Sequence, residues 1–150
     1  MAAGPQEPRR VVVVAAVVER ADRILVTERL AGTHLAGHWE FPGGKMEAGE
    51  DHRLCLEREM REELAVGVDV GDELHVTSFD YPDRTVELHF YRCAIIGNPT
   101  PVLGQRMRWV SRAELKSLRF PPADLELIRG ITDRGSIAPI APSRSEREPR

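Results

Sequence analysis

The chain has 150 residues, of which 41% are hydrophobic, and this suits one compact domain with a hydrophobic core. Its net charge of −3 and its lack of basic clusters argue against a nucleic acid polymer as a partner. Cys55 and Cys93 are too few and too scattered for a disulfide framework or a zinc site. The most apolar run, residues 11–18, falls far short of the roughly 20 residues that cross a bilayer. We therefore expect a cytoplasmic monomer or homodimer with no membrane partner. These observations are compatible with a small anionic ligand.

The first half of the chain predicts two strands and a glycine turn. Residues 1–10 are small, polar and proline-bearing, which favours a flexible leader. Residues 11–18 are apolar on both faces, as expected of a strand in the middle of a sheet. A second strand follows over residues 23–30, and "HWEFPGG" is an extended segment that ends in a turn.

The second half begins with a helical pattern over residues 51–66. Leu56, Met60 and Leu64 form one apolar stripe, Asp51 is available as the N-cap, and Gly67 is placed to stop the helix. Residues 73–79 and 85–93 predict a hairpin with one buried face, and "PPADLELIRGI" predicts a terminal helix. The fold class is therefore α/β (α+β), a mixed sheet between helices over residues 11–131, and residues 132–150 are expected to be a disordered tail.

Three carboxylates project from one face of the predicted helix. Glu59, Glu62 and Glu63 are three and four residues apart, and a glycine-rich loop, "GGKMEAGE", leads into the helix. A solvated outer face is the ordinary interpretation of such a helix. However, clustered carboxylate oxygens beside a loop that lets a ligand approach also suit Mg²⁺ and a phosphorylated substrate, with Mn²⁺ as another candidate ion. Arg58 lies in their midst, where it offsets the charge and holds a carboxylate in place.

The segment from Gly44 to Val66 resembles the Nudix box, a glycine and a glutamate followed by Arg-Glu-apolar-x-Glu-Glu-x-Gly-apolar. The matching residues are Gly44, Glu50, Arg58, Glu59, Met60, Glu62, Glu63 and Val66. Ala65 replaces the usual glycine, so we expect Gly67 to end the helix instead. "WEFPGGK", "YPDR" and "FPPAD" are similar to the MutT-type subgroup. The resemblance implies an α/β/α sandwich and Mg²⁺-dependent hydrolysis of a nucleoside triphosphate to the monophosphate and pyrophosphate.

The resemblance also implies roles for individual residues. The family pattern assigns metal binding to Glu59, Glu62, Glu63 and the carbonyl of Gly43. Glu59 or Glu62 would orient or deprotonate the attacking water, and the residues do not separate these two roles. Arg58 completes the predicted catalytic group. Glu50 either supports the outer metal shell or only favours the start of the helix.

Several residues around the box are candidates to bind the substrate. Arg29 and His34 occupy loop positions where the MutT-type pattern also has Arg and His near the substrate. Lys45 and Arg84 are cations that either meet phosphate or point to solvent, and Pro82 and Asp83 are good turn formers in any case. Phe41 is a candidate to stack on a base, as is Trp39, although such residues also build cores.

Leu103 departs from the family pattern in the late loop. MutT-type sequences often carry Glu-Gly-Gln there, whereas this chain has Leu-Gly-Gln at residues 103–105. Leucine cannot bind Mg²⁺. The site therefore loses one metal, recruits Glu87 from a neighbouring strand or uses water.

Asp124 in "FPPAD" is a candidate to select the base, since MutT itself carries Asn there. It either caps the terminal helix or reads the base, and we weigh these equally. An ionised carboxylate only accepts hydrogen bonds, so it suits the N1 and N2 hydrogens of a guanine better than cytosine, whose N3 is an acceptor. A protonated Asp124 would remove that objection to cytosine.

The favoured function is hydrolysis of a noncanonical nucleotide such as 8-oxo-dGTP, which sanitises the nucleotide pool and serves DNA repair. A cytosine triphosphate (CTP or dCTP) is second. A Nudix enzyme acting on another nucleoside diphosphate-linked compound and a non-catalytic nucleotide-sensing module stay open. Fold alone cannot decide among these functions.

Overall fold

The computed structural model describes residues 9–134, which form a mixed sheet, three α-helices and one 3₁₀ turn. The strands are β1 (Arg9–Arg20), β2 (Arg23–Glu28), β3 (Trp39–Glu40), β4 (Gly43–Lys45), β5 (Gly67–Tyr81), β6 (Arg84–Ile96) and β7 (Met107–Val110). The helices are α1 (His52–Leu64), α2 (Arg112–Ser117) and α3 (Leu125–Arg134), and the 3₁₀ turn, Pro122–Asp124, leads directly into α3.

Strand β1 is the centre of the sheet, because it pairs in parallel with β6 and antiparallel with β2 and β4. The order across the sheet is β3-β2-β1-β6-β5, with β4 paired to β1 and β7 to β2. Val14, Ala16 and Val18 are buried on one face, and Ala15 and Val17 are buried on the other. The apolar run therefore forms a strand covered on both sides, as predicted.

Helices cover both faces of the sheet. The stripe of Leu56, Met60 and Leu64 packs α1 against one face, and Leu115, Leu127 and Ile131 pack α2 and α3 against the other. The predicted α/β/α sandwich is confirmed. No helix within residues 9–134 is long and apolar enough to cross a membrane.

The start of α1 matches the prediction, but its end does not. Asp51 is the N-cap, and its carboxylate accepts a hydrogen bond from the Leu54 N–H at 2.8 Å. The helix stops at Leu64 because Ala65 takes the left-handed conformation (φ 56°, ψ 37°), with its N–H directed to the carbonyls of Met60 and Arg61. Gly67 already belongs to β5. Our expectation that Gly67 ends the helix was therefore wrong, since Ala65 ends it despite its Cβ.

We expect Ala65→Gly to raise the free energy of unfolding by about 0.5–1 kcal/mol, because an L-residue pays for the left-handed conformation that glycine adopts freely. Urea unfolding measures the change. The matched control is Ala48→Gly, at an exposed loop position without a positive φ, which should lose stability through chain entropy. A loss of stability in both variants would contradict this account of the helix end.

Both ends of the predicted domain need adjustment. Arg9 and Arg10, placed in the leader, already pair with Arg84 and Thr85 in the sheet. Helix α3 continues to Arg134, three residues beyond the predicted domain end at Ile131. The rest of the predicted leader and tail, residues 1–8 and 135–150, lies outside the described residues.

The β5–β6 hairpin forms around the two-residue turn Pro82-Asp83, with Tyr81 paired to Arg84. Its apolar face is less buried than predicted. Phe90 is buried, but Val86 and Leu88 are only partly covered. Both side chains line a cleft, and Leu88 also packs against the buried core on this face of the sheet.

Candidate active site

A cleft of about 670 Å³ opens on the α3 face of the sheet. Its floor is formed by Val11, Val13 and Ala15 of β1, which pair in register with Val86, Leu88 and Phe90 of β6. Every second residue of the two strands therefore faces the cleft. Its volume lies in the range of small-molecule sites.

The glycine loop lies close to both the sheet and α1. Gly43 and Gly44 pair with Ala15 and Val14 through β4. A Cβ on Gly43 (φ 155°) would lie 2.1 Å from the Val14 carbonyl oxygen, and one on Gly44 would lie 2.4 Å from the Glu59 carboxylate. Gly43 is thus required for the close approach of the two backbones, and Gly44 leaves room for the Glu59 carboxylate.

We expect Gly44→Ala to fold normally but to lose activity by about 10- to 100-fold, because the added methyl must displace the Glu59 carboxylate, and misplacement by about 1 Å is costly in catalysis. Steady-state kinetics and thermal unfolding together measure the two effects. Gly67→Ala is the control, since its Cβ meets only Ile96 at 3.4 Å. Equal activity in both variants would show that the position of the Glu59 carboxylate is unimportant.

Glu59 and Glu63 bring two carboxylates into the cleft, one helical turn apart. The pKa of Glu63 is raised to about 8, first by burial and then by the negative charges of Glu59 and Glu40. Burial likewise raises the pKa of Glu59. The pair therefore retains a proton near neutral pH. A divalent cation in place of that proton would relieve the same repulsion, so these carboxylates suit such an ion.

Arg58 lies outside the cleft lining and ties the helix to the loop before it. Its guanidinium donates to Glu50, to Glu59 at 2.9 Å, to Glu62 at 3.2 Å and to the Lys45 carbonyl at 2.9 Å. The expected contact with Glu59 is present. The side chain of Glu62 is 60% exposed, against 13% for Glu59, and Glu62 does not line the cleft.

Glu50 faces Arg58 and the loop rather than the helix start. It accepts hydrogen bonds from Arg58 and from the Glu47 N–H, and the Arg58 hydrogen bond lowers its pKa. Asp51 is the residue that caps α1. Both roles considered for Glu50 stay predictions. Its carboxylate shapes the loop through Arg58.

Arg29 and His34 both line the cleft, but Arg29 is already paired. Its guanidinium donates to Glu40 at 2.8 Å and to the His34 carbonyl at 2.6 Å. Glu40 is the functional candidate that the sequence analysis missed. Burial raises its pKa, and it lies within electrostatic reach of Glu59, Glu63 and Asp124. An acidic residue between the buried Trp39 and Phe41 was the available signal.

Asp124 lines the cleft but is buried, with 5% of its surface exposed. Burial raises its pKa to about 8, the charge of Glu40 adds to this effect, and Arg29 opposes it. Within the described chain, no hydrogen bond connects its side chain to the start of α3. The capping role considered for Asp124 is thus not seen, and the raised pKa favours the protonated form of the carboxyl group near neutral pH.

The two cations at the cleft rim differ in their surroundings. Arg84 lies 5.6 Å from the Tyr81 ring, and its Nε is buried without a hydrogen-bond partner in the described chain. Lys45 is exposed and lines the cleft beside Glu47. A buried donor without a partner is costly, so Arg84 is available to an acceptor on a ligand.

The two aromatic candidates differ in access to the cleft. Phe41 lines the cleft, although 4% exposed, and stacks on Phe120 at 5.3 Å and edge-on to Phe90 at 5.9 Å. Trp39 is a core residue, with Arg106 and Arg108 over its ring. A stacking role for Trp39 is therefore wrong, and Phe41 offers a supported wall.

Glu87 does not replace the carboxylate missing at Leu103. It lies on the opposite face of β6 from the cleft residues Val86 and Leu88, where it pairs with Arg10 at 2.6 Å. Leu103 is 57% exposed. Its N–H donates to Gln105, which in turn donates to the Glu63 carbonyl at 3.3 Å, so the late loop is fastened to the end of α1.

Comparison with known proteins places these features in a family. Residues 13–130 match the NUDIX domain family. The 8-oxo-dGTP diphosphatase of Haemophilus influenzae is 37% identical, covering 82% of this chain and 93% of that protein. The CTP pyrophosphohydrolase of Escherichia coli is 35% identical, covering 79% and 89% respectively. The solution structure of the E. coli ORF135 protein matches with a TM-score of 0.77 and 33% identity, covering 87% of this chain and 94% of that one. The chain is therefore a hydrolase of the NUDIX domain family.

Proposed function

We propose that the cleft hydrolyses a nucleoside triphosphate to the monophosphate and pyrophosphate, and that 8-oxo-dGTP is a substrate. The observation that carries this proposal is that one cleft is lined by two groups of residues with different chemistry. Glu59, Glu63 and the Gly43–Gly44 loop form the first group, and Asp124 and Arg29 form the second. The first group suits a phosphate chain with its cation, and the second offers hydrogen bonds to a base.

Mg²⁺, with Mn²⁺ as a substitute, would be held by Glu59, Glu63 and the Gly43 carbonyl, with Glu62 at the exposed edge. When bound, the ion neutralises phosphate charge and activates water. Glu59 is the favoured general base over Glu62, because it is the one that faces the cleft. Arg58 positions Glu59, and Lys45 and Arg84 are placed to contact phosphate or base oxygens.

The protonation of Asp124 bears on base choice. A neutral carboxylic acid donates one hydrogen bond and accepts another. It therefore matches O6 and N1–H of a guanine-type base, and equally N3 and N4–H of cytosine. The sequence-based objection to cytosine thus disappears, and a cytosine triphosphate is the second candidate substrate. The relatives named as an 8-oxo-dGTP diphosphatase and a CTP pyrophosphohydrolase agree with this pair.

A panel of nucleotides assayed for pyrophosphate release with Mg²⁺ tests the proposal. The result expected is kcat/KM for 8-oxo-dGTP or for a cytosine triphosphate well above that for the adenine and uracil series. Nucleotide sugars and dinucleotides in the same panel test the remaining Nudix substrate classes. Binding of a nucleotide without turnover in any member of the panel would instead identify a sensing module.

A further inference from the structure

Two histidines and a glutamate lie together on the face of the sheet opposite the cleft. His52 is the first residue of α1, His89 is in β6, and Glu73 is in β5. Each offers a ligand atom, and these atoms lie within 4.8 Å of one another. The imidazole rings of His52 and His89 are 4.2 Å apart between centroids.

The backbone irregularity of β5 brings Glu73 to this place. The pairing register with β6 shifts on both sides of Glu73, between Val70 and Glu73 and between Glu73 and His75. Such bulges re-aim a side chain. The Glu73 carboxylate reaches the His89 Nδ1 at 2.6 Å as a result.

Besides the contact between Glu73 and His89, each histidine has a polar partner that is not one of the three cluster residues. The His52 Nδ1 is 2.6 Å from the Tyr91 hydroxyl. The His89 Nε2 is 3.0 Å from Glu87, which Arg10 holds at 2.6 Å. Histidine ligands in metal sites are oriented in this way, by a carboxylate or another polar group on the second nitrogen. In the described chain, no hydrogen bond occupies Nε2 of His52.

We propose that His52, Glu73 and His89 form a second metal site, suited to Zn²⁺ and independent of the cleft. Imidazole nitrogens favour zinc-like transition metals, whereas the all-oxygen cleft suits Mg²⁺. Tetrahedral Zn²⁺ with bonds of about 2.0–2.1 Å places its ligands about 3.3 Å apart. Glu73 is exposed, so its carboxylate can move from its hydrogen bond with His89 to this spacing.

The bound ion links the start of α1 to the β5–β6 hairpin. Three protein ligands leave the fourth position to water. Glu87 orients His89 through its contact with the His89 Nε2. Helix α1 carries His52 at its start and the cleft residues Glu59 and Glu63 in its second half. A metal ion at His52 therefore anchors the start of the helix whose other half faces the cleft. We expect Zn²⁺ to raise the thermal unfolding temperature of the whole chain.

Cobalt spectroscopy tests the site directly. Untagged full-length protein is titrated with Co²⁺ in excess Mg²⁺, and we expect one equivalent to give the strong visible bands of four-coordinate cobalt, which Zn²⁺ then abolishes. His52→Gln and Glu73→Gln should each weaken binding by about 100-fold or more, and Glu87→Gln by about 10- to 100-fold. His34→Gln, a histidine change at the cleft, should leave the cobalt bands unchanged.

Two outcomes would overturn the proposal. One is a wild-type titration that gives only the weak bands of six-coordinate cobalt. The other is a His52→Gln or Glu73→Gln variant that binds Co²⁺ as tightly as the wild type. Glu73→Gln changes an exposed residue at a bulge, so this variant still tests the metal site if His52→Gln disturbs the start of α1. Protection against heat by Zn²⁺ in the wild type, and its loss in both variants, gives a second readout.

Discussion

Glu63→Gln is expected to lower kcat by about 100-fold or more while leaving the fold intact. The amide keeps the size of the side chain but removes the charge of a proposed cation ligand. It also removes a buried acid whose pKa is raised to about 8, so metal-free stability should not fall. Kinetics at saturating Mg²⁺ and thermal unfolding without metal measure the two effects.

The matched control is Glu57→Gln on the same helix. Glu57 pairs with Arg53 at 3.3 Å and does not line the cleft. Its loss should leave kcat unchanged, because an exposed ion pair of this kind contributes little. Wild-type activity in Glu63→Gln at saturating Mg²⁺ would show that the cation ligands lie elsewhere.

Asp124→Asn should change how stability depends on pH. The folded-state pKa of Asp124 is raised to about 8, whereas the pKa of an unfolded Asp is about 3.9. A raised folded pKa means that the stabilising contribution is complete below about pH 4 and is lost as pH rises toward 8. Asn carries no such charge. The variant should therefore gain on the wild type as pH increases through this window.

The expected size is large for one side chain. The difference in unfolding free energy between variant and wild type should grow by up to about 1.4 kcal/mol per pH unit between pH 5 and pH 8. Urea unfolding of both proteins across that range, without metal or nucleotide, measures the difference. If the unfolding free energies of variant and wild type differ by the same amount at every pH from 5 to 8, Asp124 is ionised in the folded protein.

The fold was largely predictable because its signals are local. The apolar run at residues 11–18 had no polar face, which identified the central strand, and the stripe of Leu56, Met60 and Leu64 with Asp51 before it identified α1. The end of α1 was missed because Ala65 takes a conformation that its own preference disfavours, with its N–H directed to the carbonyls of Met60 and Arg61. Arg9 and Arg10 were missed because sheet pairing, rather than hydrophobic pattern, orders them.

The site residues that belong to a sequence motif were predicted. The properties that depend on contacts between residues distant in the chain were missed. Glu59 and Glu63 follow from their spacing, but the same spacing does not show that Glu62 is exposed, paired with Arg58 and outside the cleft. The protonation of Asp124 depends on its burial beside Glu40, a residue 84 positions earlier by the chain numbering. The residues His52, Glu73 and His89 come from three different elements, and Glu73 lies at a bulge. No short sequence motif therefore predicts their cluster.

The reaction products test the central claim most directly. ³¹P NMR of the wild-type protein with Mg²⁺ and 8-oxo-dGTP, or with dCTP, distinguishes pyrophosphate from orthophosphate. We predict that the triphosphate disappears with equal release of nucleoside monophosphate and pyrophosphate, and that Glu63→Gln slows both together. Release of orthophosphate with a nucleoside diphosphate, or no hydrolysis of any triphosphate in the panel, would contradict the proposed reaction.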